Sequence, residues 1–291
     1  MFNKYKHLLN PAIFCLTPLF FLSFGAYAQC DFFQKDYIKE LEDLRSIEKI
    51  IISTPDHKSW AANSLKILMD KNNVISEKFK KRFNAEIEVK YKFGSCVMKA
   101  RMRQHGDYKD HINLSDGGKV ISSVDVSLKD NNLLRSPSFK LLLPETRIGD
   151  AEIFGTELLK ALGFLAPETF LVPAEINGTN KVLMFQENPT KEFLERNKRR
   201  EGPIFTGNER FLWQYKEFGP FALEEIALGK MKNFNWLKKE RNSVRISLQA
   251  FDQIQTSYKE YLVNFPDNWV LVQPNEKGNA LFFDYAVLLM A

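Results

Sequence analysis

The chain has no strong excess of either charge sign. Its 291 residues include 41 Lys and Arg against 36 Asp and Glu, which gives a formal net charge of +5. Lys4 and Lys6 lie in a leader that we expect to be removed, so the formal charge falls from +5 to +3 in the mature chain. Proteins that bind nucleic acid usually carry a large cationic surface. The weak excess therefore argues against a nucleic-acid partner.

The N-terminal region also lacks an uninterrupted apolar run that would cross a membrane. Residues 8–24 are mostly apolar, but one asparagine and two prolines interrupt them, and a membrane-spanning helix needs about 20 apolar residues. The lysines before this run and Ala26-Tyr27-Ala28 after it are typical of an export signal. We predict cleavage after Ala28, no stable membrane span in the mature chain, and a periplasmic, cell-surface or secreted location. The alternative is a retained N-terminal anchor.

Cysteine is scarce. Cys15 lies in the predicted leader, so only Cys30 and Cys96 remain in the mature chain. Disulfides form and persist in the compartments that receive exported proteins. We predict that these two residues pair, which would stabilise the fold by about 4 kcal/mol in the chain-entropy model. The alternative is two unpaired thiols.

The spacing of apolar residues divides the chain into regions. Residues 31–83 have apolar residues three and four apart, which predicts two or three helices in an N-terminal extension, 29–84. From Glu86 the apolar period changes to two, which is typical of half-buried strands. The strand after Gly94 places Lys99, Arg101 and Arg103 on one face. Such a face suits a polyphosphate ligand, or it simply keeps an exposed strand soluble.

The loop from His105 to His111 contains two histidines and two aspartates. These residue types are ligands for zinc or manganese, but their spacing matches no known ligand motif. The other interpretation is an ordinary polar loop, with Gly106 at a tight turn. We therefore assign no metal ligand.

Further strands and one helix are predicted downstream. Ser122–Leu128 and Ser138–Leu143 form an antiparallel pair, and Asp150 caps a helix that runs to Leu162. In this helix Glu157 lies beside an apolar stripe, where it pairs with a strand lysine or faces water. The Asn177-Gly178 turn predicts a hairpin that ends near Glu187.

The order of these motifs resembles the spore-coat protein H (CotH) kinase-like family. The resemblance covers about a third of the chain, and each motif alone is weak. The matching segments are Arg103-Gln104-His105-Gly106, Phe139-Lys140-Leu141-Leu142, Glu157-Leu158-Leu159-Lys160-Ala161-Leu162-Gly163, Ala166-Pro167, Asn177-Gly178 and Phe185-Gln186-Glu187.

The resemblance implies an atypical protein-kinase-like fold of the α+β class. Its N-lobe, 85–189, would hold an antiparallel sheet and a helix, and its mainly helical C-lobe would occupy 190–291. The implied activity is transfer of the γ-phosphate of ATP, with Mg²⁺, to a protein or envelope acceptor. The implied ATP contacts are these: Lys140 or Lys129 at the phosphates, Glu157 orienting that lysine, Glu187 near the adenine, and Arg103 in the strand-loop motif.

Two departures from the family pattern weaken the expected activity. Asp125 stands where the family has a cation, so it would repel phosphate. Phosphoryl transfer also needs Mg²⁺ ligands and usually a base, but no Asp-x-x-x-x-Asn or Asp-Phe-Gly motif follows the hairpin. The chain ends on the apolar segment 279–291. We expect a fragment cut before its catalytic loop, with weak or no activity; the alternative is a non-catalytic envelope or surface binding protein.

Overall fold

The computed structural model describes residues 29–114, 117–206 and 230–264. The predicted leader and the apolar C-terminal segment lie outside these ranges. The strands are β1 (Gln29–Cys30), β2 (Ile47–Ser53), β3 (Phe83–Tyr91), β4 (Gly94–Gln104), β5 (Ile112–Leu114), β6 (Val120–Ser122), β7 (Val124–Leu128), β8 (Ser138–Leu142), β9 (Thr169–Ile176), β10 (Thr179–Glu187), β11 (Phe205–Thr206) and β12 (Lys230–Met231). The α-helices are α1 (Ile38–Leu41), α2 (His57–Met69), α3 (Ala151–Ala161), α4 (Lys191–Arg196) and α5 (Arg241–Asn264). Among the helices in these ranges, none is long and apolar enough to cross a membrane.

Seven strands form a closed barrel. Their order is β4-β3-β2-β9-β10-β8-β7, and β7 pairs with β4 to complete the ring. The pairing of β2 with β9 is parallel, whereas the other pairings in the ring are antiparallel. The 11-residue strand β4 pairs with β7 through its C-terminal half and with β1 near its N-terminal end. The barrel is therefore mixed rather than purely antiparallel.

The barrel interior is filled by alternate apolar residues of the strands. Ile87, Met102, Phe139 and Phe185 are fully buried and belong to one hydrophobic cluster. The rings of Phe139 and Phe185 stack at 4.9 Å between centroids. Burial of such side chains is the main favourable term in folding. The period of two predicted for β3 and β4 is confirmed.

The predicted kinase-like fold, with an N-lobe and a helical C-lobe, is wrong. The region predicted as a helical extension supplies β2, which pairs with both β3 and β9. The β4–β7 pairing then closes the sheet into a ring, which a two-lobe kinase-like fold does not contain. The physical reason lies in Ile50, Ile51 and Ile52, because consecutive β-branched residues favour a strand.

The predicted disulfide is confirmed. Cys30 and Cys96 are bonded and lie opposite each other where β1 pairs with β4. The bond closes a separation of 66 residues and ties the start of the described chain to the barrel.

Helix α3 is confirmed close to its predicted bounds, but its apolar stripe does not face the barrel. Thr156 and Leu159 are its buried residues. Phe154, Leu158 and Leu162 instead expose 69%, 47% and 59% of their surface. Glu152 of the helix accepts a hydrogen bond from Gln186 of β10. The helix therefore places polar groups beside the sheet, and its apolar stripe lies elsewhere.

Candidate functional site

A row of polar side chains crosses the outer face of the barrel. Arg103 of β4 lies opposite Asp125 of β7, Asp125 lies opposite Lys140 of β8, and Lys140 lies opposite Gln186 of β10. Directly opposed residues point to the same side of a sheet. Chain neighbours such as Met102, Val126, Phe139 and Phe185 instead belong to the apolar core. We call Arg103, Asp125, Lys140 and Gln186, together with Glu152 of α3, the outer row.

Hydrogen bonds join the members of the outer row in two groups, Arg103 with Asp125, and Lys140 with Gln186 and Glu152. Arg103 Nε donates to Asp125 Oδ2 at 2.9 Å, and Asn188 Nδ2 donates to Asp125 Oδ1 at 3.0 Å. Lys140 Nζ donates to Gln186 Oε1 at 3.1 Å. Gln186 Nε2 in turn donates to Glu152 Oε1 at 2.6 Å. Both oxygens of Asp125 are thus occupied, and Lys140 binds a neutral amide instead of a carboxylate.

The environment of Lys140 disfavours its charged form. The pKa of Lys140 is lowered to about 7, mainly by burial; the charges of Lys232 and Arg147 add to this shift more than those of Asp125 and Glu152 oppose it. A buried ammonium beside other cations loses hydration and gains repulsion. Near neutral pH, a large share of Lys140 is therefore uncharged.

Arg147 brings a second cation to this site. It lies in the 3-10 turn Pro144–Arg147, directly after β8. Its Nε is buried and has no hydrogen-bond partner within the described residues. A buried donor without a partner costs free energy, and a guanidinium has donors suited to an oxyanion. Arg147 therefore has an unused donor, and it lies close enough to Lys140 to lower its pKa.

Two histidines lie beside the outer row. The rings of His105 and His111 meet edge to face, with centroids 5.4 Å apart. His111 Nδ1 lies 2.9 Å from Ser123 Oγ, which also accepts a hydrogen bond from the Leu143 N–H. Burial lowers the pKa of His111 to about 4 and the pKa of His105 well below its usual value, and Lys140 lowers the pKa of His105 further. Both rings are therefore neutral at physiological pH.

The histidine loop depends on Gly106. Gly106 has a φ of +110°, and a Cβ at this position would lie 2.2 Å from the His111 ring. This contact accounts for the glycine that the sequence suggested at a tight turn. Across the residues that the structure describes, no group of three or more His, Cys, Asp or Glu side chains is placed to hold a metal ion. The metal interpretation of this loop thus gains no support.

The structure brings together only two of the predicted ATP contacts. Arg103 and Lys140 are both in the outer row, linked through Asp125. Lys129 is exposed just after β7, where its N–H donates to the Lys99 carbonyl. Glu157 pairs with Lys160 at 2.7 Å and faces solvent, so it does not orient Lys140.

Glu187 belongs to a separate ion-pair network at the end of β10. Arg196 of α4 donates to both Glu187 and Glu168, and Lys160 donates to Glu168 at 2.8 Å. The Glu168 N–H donates to Glu187 at 3.2 Å. Burial raises the pKa of Glu187, although Arg196 opposes this effect. These contacts hold α4 against the barrel and give Glu187 a structural role.

Sequence reasoning missed Glu152, Arg147 and Lys232 as neighbours of Lys140. Arg147 belongs to none of the motifs named from the sequence, and Lys232 lies 92 positions beyond Lys140 in the chain. The outward position of Gln186, between the inward Phe185 and Glu187, was the one usable signal. Placing it beside Lys140 requires the register of β8 and β10.

No family model matches the chain, and no curated protein matches it. The similarity to the CotH kinase-like family therefore stays a prediction. The interpretation of the outer row rests on its own geometry and charge.

Proposed function

We propose that the mature protein is an exported binding protein that holds a small anionic ligand, with a phosphate-like group, at the outer row. The observation that carries the proposal is the excess of positive charge around Lys140. Arg147 and Lys232 lie close enough to lower its pKa, and together they outweigh Asp125 and Glu152, which raise it. An oxyanion bound there would relieve the repulsion.

The available donors suit an oxyanion. A lysine ammonium has three donors, and Lys140 uses one of them on Gln186. Arg147 has its unpaired Nε. Guanidinium and ammonium groups form short, charge-assisted hydrogen bonds to phosphate oxygens. Lys140 is partly exposed as a residue, although its ammonium group is enclosed enough to lower its pKa.

Binding without catalysis fits the geometry better than phosphoryl transfer. Kinase chemistry needs oxygen ligands for Mg²⁺, whereas both oxygens of Asp125 are occupied by Arg103 and Asn188. Of the three aspartates that follow the hairpin, Asp252 is exposed on α5, and Asp267 and Asp284 lie outside the described ranges. ATP, with or without Mg²⁺, remains one candidate ligand, and transfer to a protein or envelope acceptor stays a prediction.

An exported location agrees with the disulfide. The Cys30–Cys96 bond is compatible with an oxidising compartment. The proposal extends this to a periplasmic, cell-surface or secreted protein after removal of the leader. Its partner would then be a small anion of that compartment or an anionic group on an envelope component.

Calorimetric titration with sulfate tests the proposal, because the charge of sulfate does not change near neutral pH. We expect saturable binding by the mature protein at pH 6. The variant Arg147→Met should weaken binding about tenfold or more, since it removes a charge-assisted contact. The matched control is Lys129→Met, which removes an exposed lysine just beyond the neighbouring strand and should leave affinity unchanged. Absence of sulfate binding, or equal losses in both variants, would contradict the proposal.

A parallel titration with ATP separates binding from catalysis. We expect ATP to bind with similar affinity whether or not Mg²⁺ is present, because the outer row supplies cations rather than metal ligands. Transfer of labelled phosphate from ATP to any acceptor, lost in Lys140→Met and kept in Lys129→Met, would replace the binding proposal with the phosphotransferase.

A further inference from the structure

We infer that Lys140 forms a reversible imine with an aldehyde that carries an anionic group. The inference rests on the proposed function, because the cations beside Lys140 would hold that anionic group. The Lys140 nitrogen attacks the carbonyl carbon and forms the C–N bond. The carbonyl oxygen leaves as water with both protons of the neutral amine, so no oxidant or reductant is needed.

The contacts of Lys140 differ from those of other lysines on the barrel. Lys49 pairs with Glu175 at 2.7 Å, and Lys181 pairs with Glu145 at 2.6 Å. Lys140 forms no ion pair within the described ranges, and it donates a hydrogen bond to the amide oxygen of Gln186. A carboxylate partner stabilises the ammonium form, whereas an amide does so less. Lys140 is thus the lysine in this comparison that is placed to act as a neutral amine.

The charged groups around Lys140 act in the same direction. Lys232 and Arg147 disfavour its ammonium form, and Asp125 and Glu152 only partly compensate, so the pKa is about 7. The neighbouring His105 and His111 are neutral because burial lowers the pKa of both. A lysine nucleophile is activated by desolvation and by a nearby cation. The amine is therefore available at neutral pH without a separate base.

The same neighbours define the ligand. Arg147 has an unpaired buried donor, and with Lys232 it supplies positive charge beside the amine. A phosphate or carboxylate on the aldehyde would bind these cations and hold the carbonyl carbon near Lys140. Such positioning raises the effective concentration of the reacting groups. The substrate class is an anionic aldehyde. An uncharged aldehyde of similar shape should react much less with Lys140, because the cations would not hold it there.

The test uses pyridoxal 5′-phosphate as a probe that carries both an aldehyde and a phosphate. The mature protein is incubated with the probe, reduced with borohydride and mapped by peptide mass spectrometry. We expect the label at Lys140 at least tenfold above the label at the exposed Lys129. Pyridoxal, which lacks the phosphate, should label Lys140 at least tenfold less. Equal labelling of the two lysines, or equal labelling by the two probes, would overturn the inference.

Sulfate binding by the natural protein, measured beside the labelling, separates this inference from the proposed function. The variant Lys140→Arg cannot form the imine, so the label at this position should be lost while the label at Lys129 is unchanged. Sulfate binding by the natural protein together with no label at Lys140 would refute the imine alone. Failure to bind sulfate would refute the anion site itself. An unchanged thermal midpoint of Lys140→Arg checks that the lost label does not reflect unfolding.

Discussion

The inner and outer faces of β8 and β10 differ sharply within the same few residues. Phe139 and Phe185 point inward and are fully buried in the apolar core. Lys140 and Gln186, their immediate neighbours, point outward and bond to each other under α3. Apolar burial stabilises the fold, whereas partial burial of a cation beside other cations costs free energy. The comparison teaches that the core carries stability and that the outer face carries the features expected of a binding site.

The largest effect is expected from the inner face. Phe185→Ala removes a fully buried ring from the core, so we expect a loss of about 3 to 5 kcal/mol in the free energy of unfolding. The matched variant Gln186→Ala, one residue further along β10, should cost only about 1 kcal/mol and should change sulfate affinity. Urea unfolding of both variants measures the difference. Equal losses would break the contrast between the two faces.

An intermediate effect is expected at Asp125, where stability and binding should move in opposite directions. Asp125→Ala leaves Arg103 and Asn188 without their shared partner, so we expect a loss of about 2 kcal/mol in stability. Sulfate should bind more tightly, because the carboxylate that opposes the anion is gone. Unfolding and calorimetry on the same sample measure the two changes.

The control for Asp125 is a carboxylate elsewhere on the barrel. Glu175→Gln breaks the pair with Lys49, whose side chains are partly exposed. It should cost at most about 1 kcal/mol and leave sulfate affinity unchanged. A weaker sulfate affinity in Asp125→Ala would mean that Asp125 positions the cations of the outer row more than it repels the ligand.

The most gradual effect is the pH dependence that Lys140 contributes. Its pKa is about 7 in the folded protein and about 10.4 in the unfolded chain. Between these two pKa values the lysine binds a proton in the unfolded state but not in the folded state, so the free energy of unfolding rises with pH across this window. Below pH 7 the lysine is protonated in both states, and it contributes no further pH dependence. We expect a gain of more than about 1 kcal/mol from pH 7 to pH 10 that is absent in Lys140→Met. Sulfate affinity should fall over the same range. An identical pH profile in the variant would rule out this contribution.

Local patterns in the sequence predicted much of the barrel. The period of two found β3 and β4, the Asn177-Gly178 turn found the β9–β10 hairpin, and Asp150 marked the start of α3. The count of cysteines predicted the disulfide. Each of these signals depends on residues that are close in sequence. The disulfide is the exception, because it follows from there being only two cysteines after the predicted leader.

Long-range pairings were not predictable in the same way. Ile50 of β2 pairs in parallel with Ala174 of β9, a contact between residues 124 positions apart that no local pattern encodes. The pairing of β4 with β7, which closes the barrel, could not be predicted from the sequence either. Both strands have the alternating pattern of ordinary half-buried strands, which does not indicate their partners. The kinase-like interpretation failed at these two pairings.

The candidate site was partly predictable for the same reason. The family resemblance named Lys140 and Arg103, and both lie at outward polar positions of their strands. Glu157 was chosen from α3, whereas Glu152 is the residue that reaches the outer row. With 3.6 residues per helical turn, positions five apart lie on different faces. Only the docking of α3 against β10 decides which of the two faces the sheet.

Closure of the ring at β4 and β7 fixes the alignment of the outer row. In an open sheet, an edge strand can slide by one residue and exchange its inward and outward side chains. In this barrel β7 is hydrogen-bonded to β4 on one side and to β8 on the other. A slip of β7 that exposed Val126 and buried Asp125 would have to break both ladders together. The cations therefore keep their relative positions before any ligand arrives, so binding need not order them.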